Sequence, residues 1–303
     1  MISVILPVRN GGSDLSRCLA AIARQEVSEP VEVIVIDSGS TDGSPDVARR
    51  AGANVIEIPH RDFTYGGARN RACRAARGDV FVCTSHDAEA VGVDWLASLV
   101  EPLGEDPGLA GTYGRQIARD GSKPPERYFL DFLYGGEPRI QRVSSPADLS
   151  MTTTLFSNVN AAIPRRIWEA FPFADDIIGS EDQEWSVRVL LAGHALAYVP
   201  AATVRHSHDY TLPAAFKRFF DSGVSGERTY LAAEAASAGV LRRQAIAYAR
   251  GELSWLWREH RRWLPYAMAY EGTKFVGLQL GRRHHVLPKW LKRRLSLAPQ
   301  YWQ

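Results

Sequence analysis

VEVIVIDSGSTDGS, residues 31–44, decides how this chain folds. Val31–Asp37 is a short apolar run rich in β-branched residues, as expected for a strand buried in a parallel sheet. It stops at Asp37. The polar turn Gly39-Ser40-Thr41-Asp42 follows, and then a helix is expected to about Ala51. The same alternation extends in both directions. Upstream, residues 3–8 (SVILPV) form a strand, and Ser13 or Asp14 can cap a helix carrying Leu15, Leu19 and Ile22 on one face. Downstream, residues 54–58 form a strand, 67–76 a helix, and Val80–Thr84 (VFVCT) a fourth strand. Strand and helix in alternation with short links imply right-handed βαβ units, a parallel sheet and an α/β fold class.

In such sheets ligands bind beyond the carboxyl ends of the strands. That rule selects residues 7–10, 37–40, the turn after Ile58, and 85–88. Further on, 94–101 reads as a helix and 111–115 as a strand end. Residues 121–149, rich in Pro, Gly and charge, read as a mobile loop over the site. Residues 155–163 (LFSNVNAAI) read as a strand that enters a helix at Pro164. A helix over 180–191 carries a capping box, with Ser180 as N-cap and Gln183 three residues on. Residues 195–199 form a late strand, and 216–220 begin a helical remainder that becomes basic.

The chain has 303 residues, 45% hydrophobic and 23% charged, which excludes wholesale disorder, collagen and a disulfide-knotted miniprotein. The net charge of +2 hides a split. Residues 240–303 hold 13 basic and 3 acidic residues and five tryptophans, while residues 1–239 hold 23 basic and 31 acidic ones. An acidic body with a basic, Trp-rich tail suits a catalytic or binding domain that docks on something anionic. Cys18, Cys73 and Cys83 form no Cys-x-x-Cys pair and cannot all pair internally, which fits a reducing compartment. The opening apolar run is short, holds Pro7 and starts without a basic region, unlike a signal peptide. No uncharged stretch reaches the roughly 20 apolar residues of a spanning helix. The expected location is cytoplasmic.

There is no GxGxxG after the first strand and no GxxxxGK[ST], which weighs against a dinucleotide fold and a P-loop. Asp37 ends the second strand, where a carboxylate can accept the N3–H of uracil or thymine; alternatively it bonds its own turn. Asp87 ends the fourth strand, where it can hold Mg²⁺ or Mn²⁺ against a diphosphate, or serve only as a turn residue. Arg69 can neutralise phosphate or be a solvated surface residue. Glu181-Asp182 occupies a first helical turn, where acids favour the helix dipole but can also act as a general base. His206-Ser207-His208 follows the late strand. Alternating residues on an extended segment point to opposite faces, so one histidine of the two is expected to reach a metal. With no cysteine nearby and no HExxH, a zinc site is disfavoured.

SVILPVRNGG, VIVIDSGSTDGS, GGARNRA, SHDA and EDQEW, in this order, resemble the inverting nucleotide-sugar glycosyltransferases of the GT-A fold, glycosyltransferase family 2. FTYGGARNRA, YGRQ, LFSNVNAAI, EDQEW and VPAATVRHSHDYTL together resemble the bacterial polysaccharide rhamnosyltransferases, which use dTDP-L-rhamnose. The resemblance implies a GT-A-like domain over residues 1–222, a mostly parallel central sheet flanked by helices, with a helical basic extension over 223–303. It implies that Pro7, Val8 and Arg9 line the nucleotide pocket, that Asp37 binds the base, and that Arg69 and His86 help hold nucleotide or diphosphate. Asp87 matches the last acid of the family's Asp-x-Asp metal motif, completed by His206 or His208. Asp182 matches the catalytic base, with Glu181 beside it. The departure is Ser85, which stands where many relatives have the first Asp and removes one carboxylate from the metal site.

The implied reaction is a single displacement with inversion, the acceptor hydroxyl deprotonated by Asp182 and the departing diphosphate neutralised by Mg²⁺ or Mn²⁺ with Arg69. The expected acceptor is a surface polysaccharide or lipid-linked glycan, met at the inner face of the membrane through peripheral contact of the basic tail with anionic lipid. A UDP-hexose or UDP-N-acetylhexosamine donor is the alternative within enzymes. A catalytically inactive nucleotide-sugar-binding protein is the alternative outside them, and retention of Asp87 and Asp182 argues against it. The acidic body and the lack of a base-reading module disfavour nucleic acid as a partner.

Overall fold

The computed structural model describes residues 1–229 and 234–302. β1 (Ile2–Val8) is buried along its whole length and runs parallel to β2 (Val31–Asp37), from Ile2 opposite Val31 to Val8 opposite Asp37. β3 (Asn54–Glu57) adds parallel to β2, and β4 (Val80–Thr84) parallel to the other side of β1. The remaining strands are β5 (Glu89–Ala90), β6 (Leu109–Ile117), β7 (Arg139–Gln141), β8 (Asn160–Pro164) and β9 (Ala195–Arg205). The sheet order is β3-β2-β1-β4-β8-β6-β9-β5, with β7 beside β9. It is parallel from β3 to β4 and mixed beyond, because β8 runs antiparallel between β4 and β6 while β6 and β9 are parallel.

Helices α1 (Gly12–Ala23), α2 (Ser44–Arg50), α3 (Tyr65–Ala75), α4 (Trp95–Glu105), α5 (Pro124–Leu133), α6 (Arg165–Ala170) and α7 (Glu181–Leu191) surround the sheet. Period-two alternation sends Val4, Leu6 and Val35 to one face and Ile5, Ile34 and Ile36 to the other. The first face packs on Leu15, Ala48, Trp95 and Leu99 of α1, α2 and α4. The second packs on Ala72, Ile167, Trp168, Trp185 and Val189 of α3, α6 and α7. With both faces covered, the parallel strands read as unbroken apolar runs, which is why the alternation was legible.

Buried Asn160 ties the mixed half together. Its Oδ1 accepts from Trp95 Nε1 (2.8 Å), and its Nδ2 donates to the carbonyls of Arg115 (3.1 Å) and Ala202 (2.8 Å). The β6–β9 register shifts between Gly114 and Arg115. A Cβ on Gly114 would lie 2.0 Å from the Ala202 carbonyl oxygen, so this close approach requires glycine. Past the shift β9 continues to Arg205 rather than ending at Val199, and it delivers His206 to the sheet edge.

Three local expectations change. Residues 121–149 are not a loop but hold α5, β7 and a 3-10 turn at Pro146–Asp148. The two prolines of α5 sit in its first turn, where a missing N–H costs nothing, and Leu130 buries its inner face. The strand expected over 155–163 is confined to β8, and its first residues are a loop. Ser180 holds the N-cap position of α7 in a left-handed conformation (φ 59°) and makes no side-chain cap. Asp182 Oδ1 accepts the Gln183 N–H (2.8 Å) instead.

The C-terminal part comprises α8 (Leu212–Ser225), α9 (Glu234–Glu259), α10 (Leu264–Arg282) and α11 (Lys289–Leu295). The boundary expected between residues 222 and 223 falls inside α8. α10 lies close along α8 at Gly223, Gly277 and Gly281; a Cβ on Gly281 would meet the Phe220 carbonyl oxygen at 2.1 Å. Lys274 ties α10 to the body, paired with Glu271 (2.8 Å) over the rings of Phe129 and Tyr248. Among the described residues no helix is long and apolar enough to cross a membrane.

Candidate active site

β2 and β4 flank β1, so Asp37 and the segment after Thr84 open on the same sheet edge. Asp37 is 1% exposed. Its Oδ1 accepts the N–H groups of Gly39 (3.0 Å) and Ser40 (2.8 Å), so the turn role is real. Its Oδ2 is buried and has no hydrogen-bond partner among the described residues. Burying an unpaired carboxylate oxygen is costly, and a ligand N–H would satisfy it. Pro7 and Val8 are inside the sheet, and the Val8 side chain belongs to the core. Only Arg9 emerges into solvent, where Nη1 meets His60 Nε2 at 2.9 Å. His86 is half-buried against Gly11 at the start of α1.

Asp87 receives a hydrogen bond from Ser85 Oγ (2.7 Å), the residue that replaces the missing acid. Its two oxygens lie 3.6 Å from His206 Nε2 and 3.7 Å from His208 Nε2. One ligand atom from each of the three residues falls within 4.8 Å of the others. Both histidines therefore reach the site, not one. Residues two apart on an extended segment share a face; only neighbours alternate. Burial opposes the Asp87 charge, but His206, His208 and the Ser85 hydroxyl outweigh it and bring the carboxyl down to about 2. Burial lowers His206 to about 4 against the pull of Asp87, so near neutral pH the donors are one carboxylate and a neutral imidazole. His208 is lowered too, again chiefly by burial.

The surroundings aim these donors. Gln116 Nε2 donates to the Tyr134 hydroxyl (2.7 Å), which leaves its Oε1 to accept from His206 Nδ1–H (2.9 Å). That tautomer points the Nε2 lone pair at Asp87, the usual outer-shell arrangement of a metal-ligating histidine. The His206 N–H bonds the Ile117 carbonyl (2.9 Å), and Ser207 Oγ accepts the Arg119 N–H (3.0 Å). Glu126 of α5 accepts the His208 N–H at 3.4 Å, and Arg119 also donates to the Asp87 carbonyl. Gln116 lies in the YGRQ segment without being marked by it as a site residue, and Arg119, Glu126 and Tyr134 carry no sequence signal of their own. They act through contacts 18 to 90 positions apart. The donor set fits a divalent cation: one hard anionic oxygen and two imidazoles.

The acidic pair at the start of α7 divides its work. Glu181 Oε1 pairs with Arg69 Nη1 at 2.7 Å, both side chains 6% exposed, and accepts from Asn158 Nδ2 (3.1 Å). Glu181 is therefore engaged by Arg69 and Asn158 within the protein. Arg69 is buried within the protein rather than solvated, because the buried Glu181 charge needs a partner. Asp182 accepts the backbone N–H groups of Asn158 (3.2 Å) and Gln183 (2.8 Å). Burial, then the Glu181 charge, pushes its carboxyl up to about 6, against Arg69 and these two N–H groups. A carboxylate held near neutrality on a rigid helix suits proton abstraction.

A family model described as Glycosyl transferase family 2 matches residues 3–168. The O-antigen chain rhamnosyltransferase WbaN of Salmonella anatum is 30% identical over 99% of this chain and 95% of its own length. RfbN of Salmonella typhimurium, of the same description, is 30% identical over 99% of this chain and 96% of its own. Among solved structures, the mannosyltransferase PcManGT from Pyrobaculum calidifontis, in complex with GDP-Man and Mn²⁺, superposes with a TM-score of 0.59 at 19% identity, covering 92% of this chain and 86% of that one. The matched span holds the Asp37 turn and Asp87, and the full-length relatives extend through Asp182 and both histidines to the C-terminal helices. The chain therefore belongs to glycosyl transferase family 2 and is a glycosyltransferase of the GT-A fold.

Proposed function

We propose that this enzyme transfers L-rhamnose from dTDP-L-rhamnose, with inversion, to a hydroxyl of a growing bacterial surface polysaccharide or lipid-linked glycan. The sugar is supported by the full-length likeness to two O-antigen rhamnosyltransferases. The observation that carries the chemistry is that one sheet edge holds the open Asp37 oxygen and the Asp87, His206 and His208 donors. Asp37 Oδ2 accepts the pyrimidine N3–H. Asp182 takes the proton from the acceptor hydroxyl as that oxygen bonds the anomeric carbon opposite the diphosphate. The bond from that carbon to the phosphate oxygen breaks, and its electron pair leaves with dTDP. A divalent cation held by Asp87, His206 and His208 would neutralise the diphosphate as it departs. Asp37 would accept equally from uracil, so a UDP-sugar donor is the second reading.

A panel of nucleotide sugars with acceptor, read for transfer, tests the donor. Nucleotide binding alone tests the base pocket. Thymidine and uridine diphosphates are expected to raise the melting temperature, since ligands of the native state stabilise it. ADP is not, because adenine presents N1, an acceptor, where the pyrimidine presents a donor. Comparable binding of ADP would refute the role of Asp37.

Peripheral contact with anionic membrane at the inner face completes the reading. The tail uses part of its aromatic surface for packing: Trp302 is buried among Ile178, Phe220 and Val224, and Trp255 meets Tyr128. Other apolar groups remain outside, including Trp257 (59% exposed), Met268 (65%), Phe275 (63%) and Trp290 (65%). Arg258, Arg261, Arg262, Lys289, Arg293 and Arg294 are exposed as well. Such residues favour an anionic interface by about 1 kcal/mol per basic group near the surface. Full-length protein is expected to sediment with anionic vesicles at low salt and to be released at high salt. Trp257→Ser, Phe275→Ser and Trp290→Ser together should abolish sedimentation while leaving the α8–α10 packing intact. Wild-type protein that stays in the supernatant would overturn the membrane reading.

A further inference from the structure

With Arg69 engaged by Glu181, the departing diphosphate needs another cation. Several basic side chains around the site are also engaged. Arg119 pairs with Asp14 (3.1 Å) and bonds the Asp87 carbonyl, Lys123 Nζ donates to the Tyr210 carbonyl (3.3 Å) and the Tyr266 hydroxyl (3.1 Å), and Arg9 meets His60. Arg218 on α8 differs. Its guanidinium is half-buried and makes no hydrogen bond or ion pair among the described residues. Nη1 lies against the turn that begins α7, 3.7 Å from where a Cβ on Gly179 would be. Burial acts most on its charge, followed by Tyr210, Tyr65, Asp182 and Asp221. It acts in turn on His208, whose ring packs on Tyr210 with centroids 5.2 Å apart. α8 begins four residues after His208, and its Arg218 reaches the turn that ends three residues before Asp182, which puts the guanidinium on the side of the site shared by those two segments. A half-buried guanidinium with no protein partner is open to a ligand anion, which it can meet through a charge-assisted, forked pair.

We propose that Arg218 binds the β-phosphate of the donor, its planar fork set on two non-bridging oxygens, and stabilises the negative charge that gathers there as the sugar leaves. This rests on the glycosyl-transfer reading. Burying a forked, charge-assisted pair here would distinguish a diphosphate from a monophosphate, which ends before the fork.

The test is calorimetry of dTDP and dTMP with Mn²⁺ on the full chain, Arg218→Gln and Arg218→Lys, with melting curves to verify folding. Arg218→Gln is expected to lose ~10- to 100-fold in dTDP affinity while dTMP affinity moves by less than about twofold. Arg218→Lys should recover part of the dTDP affinity, since it restores charge without the fork. Undiminished dTDP affinity in Arg218→Gln, or equal losses for both nucleotides, overturns the assignment. Wild-type protein that binds neither nucleotide overturns the thymidine-nucleotide donor reading, and the role of Arg218 in holding dTDP with it.

Discussion

Asp182→Asn is expected to lower transfer by ~10²–10⁴-fold and to leave nucleoside diphosphate affinity nearly unchanged. The substitution keeps an oxygen for the Gln183 N–H, so the first turn of α7 should survive. What is lost is the proton acceptor. Wild-type turnover should fall as pH drops through about 6, where the carboxyl becomes protonated and can no longer act as base. The groups that set that value are Glu181 on the same helix, Arg69 on α3 and the Asn158 and Gln183 N–H groups, with Arg218, Tyr134 and Cys83 facing Asp182 from α8, the end of α5 and β4. Stability runs the other way. A carboxyl whose folded pKa lies above its unfolded value stabilises the fold when protonated, and that contribution is lost as pH rises through about 6. Activity and stability should therefore diverge across this window, which separates a catalytic role from a structural one. Retention of more than about a third of wild-type turnover would sink the assignment, since a positioned base contributes far more.

Asp87→Ala is expected to lower metal-supported transfer by about 10²-fold or more, the scale of losing electrostatic stabilisation of a leaving group. Its effect on dTDP affinity should be large with Mn²⁺ and nearly absent in EDTA. An equal loss in both conditions would mean that Asp87 meets the nucleotide directly or acts only on folding. Two imidazole donors suit a transition-metal ion better than Mg²⁺, which keeps oxygen ligands, so Mn²⁺ should support faster turnover than Mg²⁺. Gln116→Ala is the companion variant. It touches no proposed ligand atom directed at the cation, yet it frees His206 to rotate or change tautomer, and such outer-shell losses cost ~10–100-fold in metal affinity.

The sheet edge was legible because β1, β2 and β4 carry their burial in their own residues. A strand covered on both faces must be apolar throughout, and the polar residue that ends it marks the ligand side. Asp37 and Asp87 were found that way. The α5 segment was not, because its helical period is short and framed by Pro, Gly and charge that imitate a loop. The histidine pair was half legible: its position after β9 was evident, but whether one or both rings converge depends on where the chain leaves the sheet.

By itself, then, the amino-acid sequence determined the α/β alternation, the parallel half of the sheet, the two carboxylates at its edge and the acidic pair opening α7. Each of these is a property of consecutive residues, set by local periodicity and by strand or helix ends. Only the tertiary structure decided the roles within the site. It joined Arg69 to Glu181 across 112 positions and so left Asp182 without an ion-pair partner of its own, set Gln116 behind His206 across 90, and laid α10 along α8. The physical reason is that a buried charge or N–H must find a partner in space. Periodicity reports which side of an element faces inward, but it holds no information on which distant group will be waiting there.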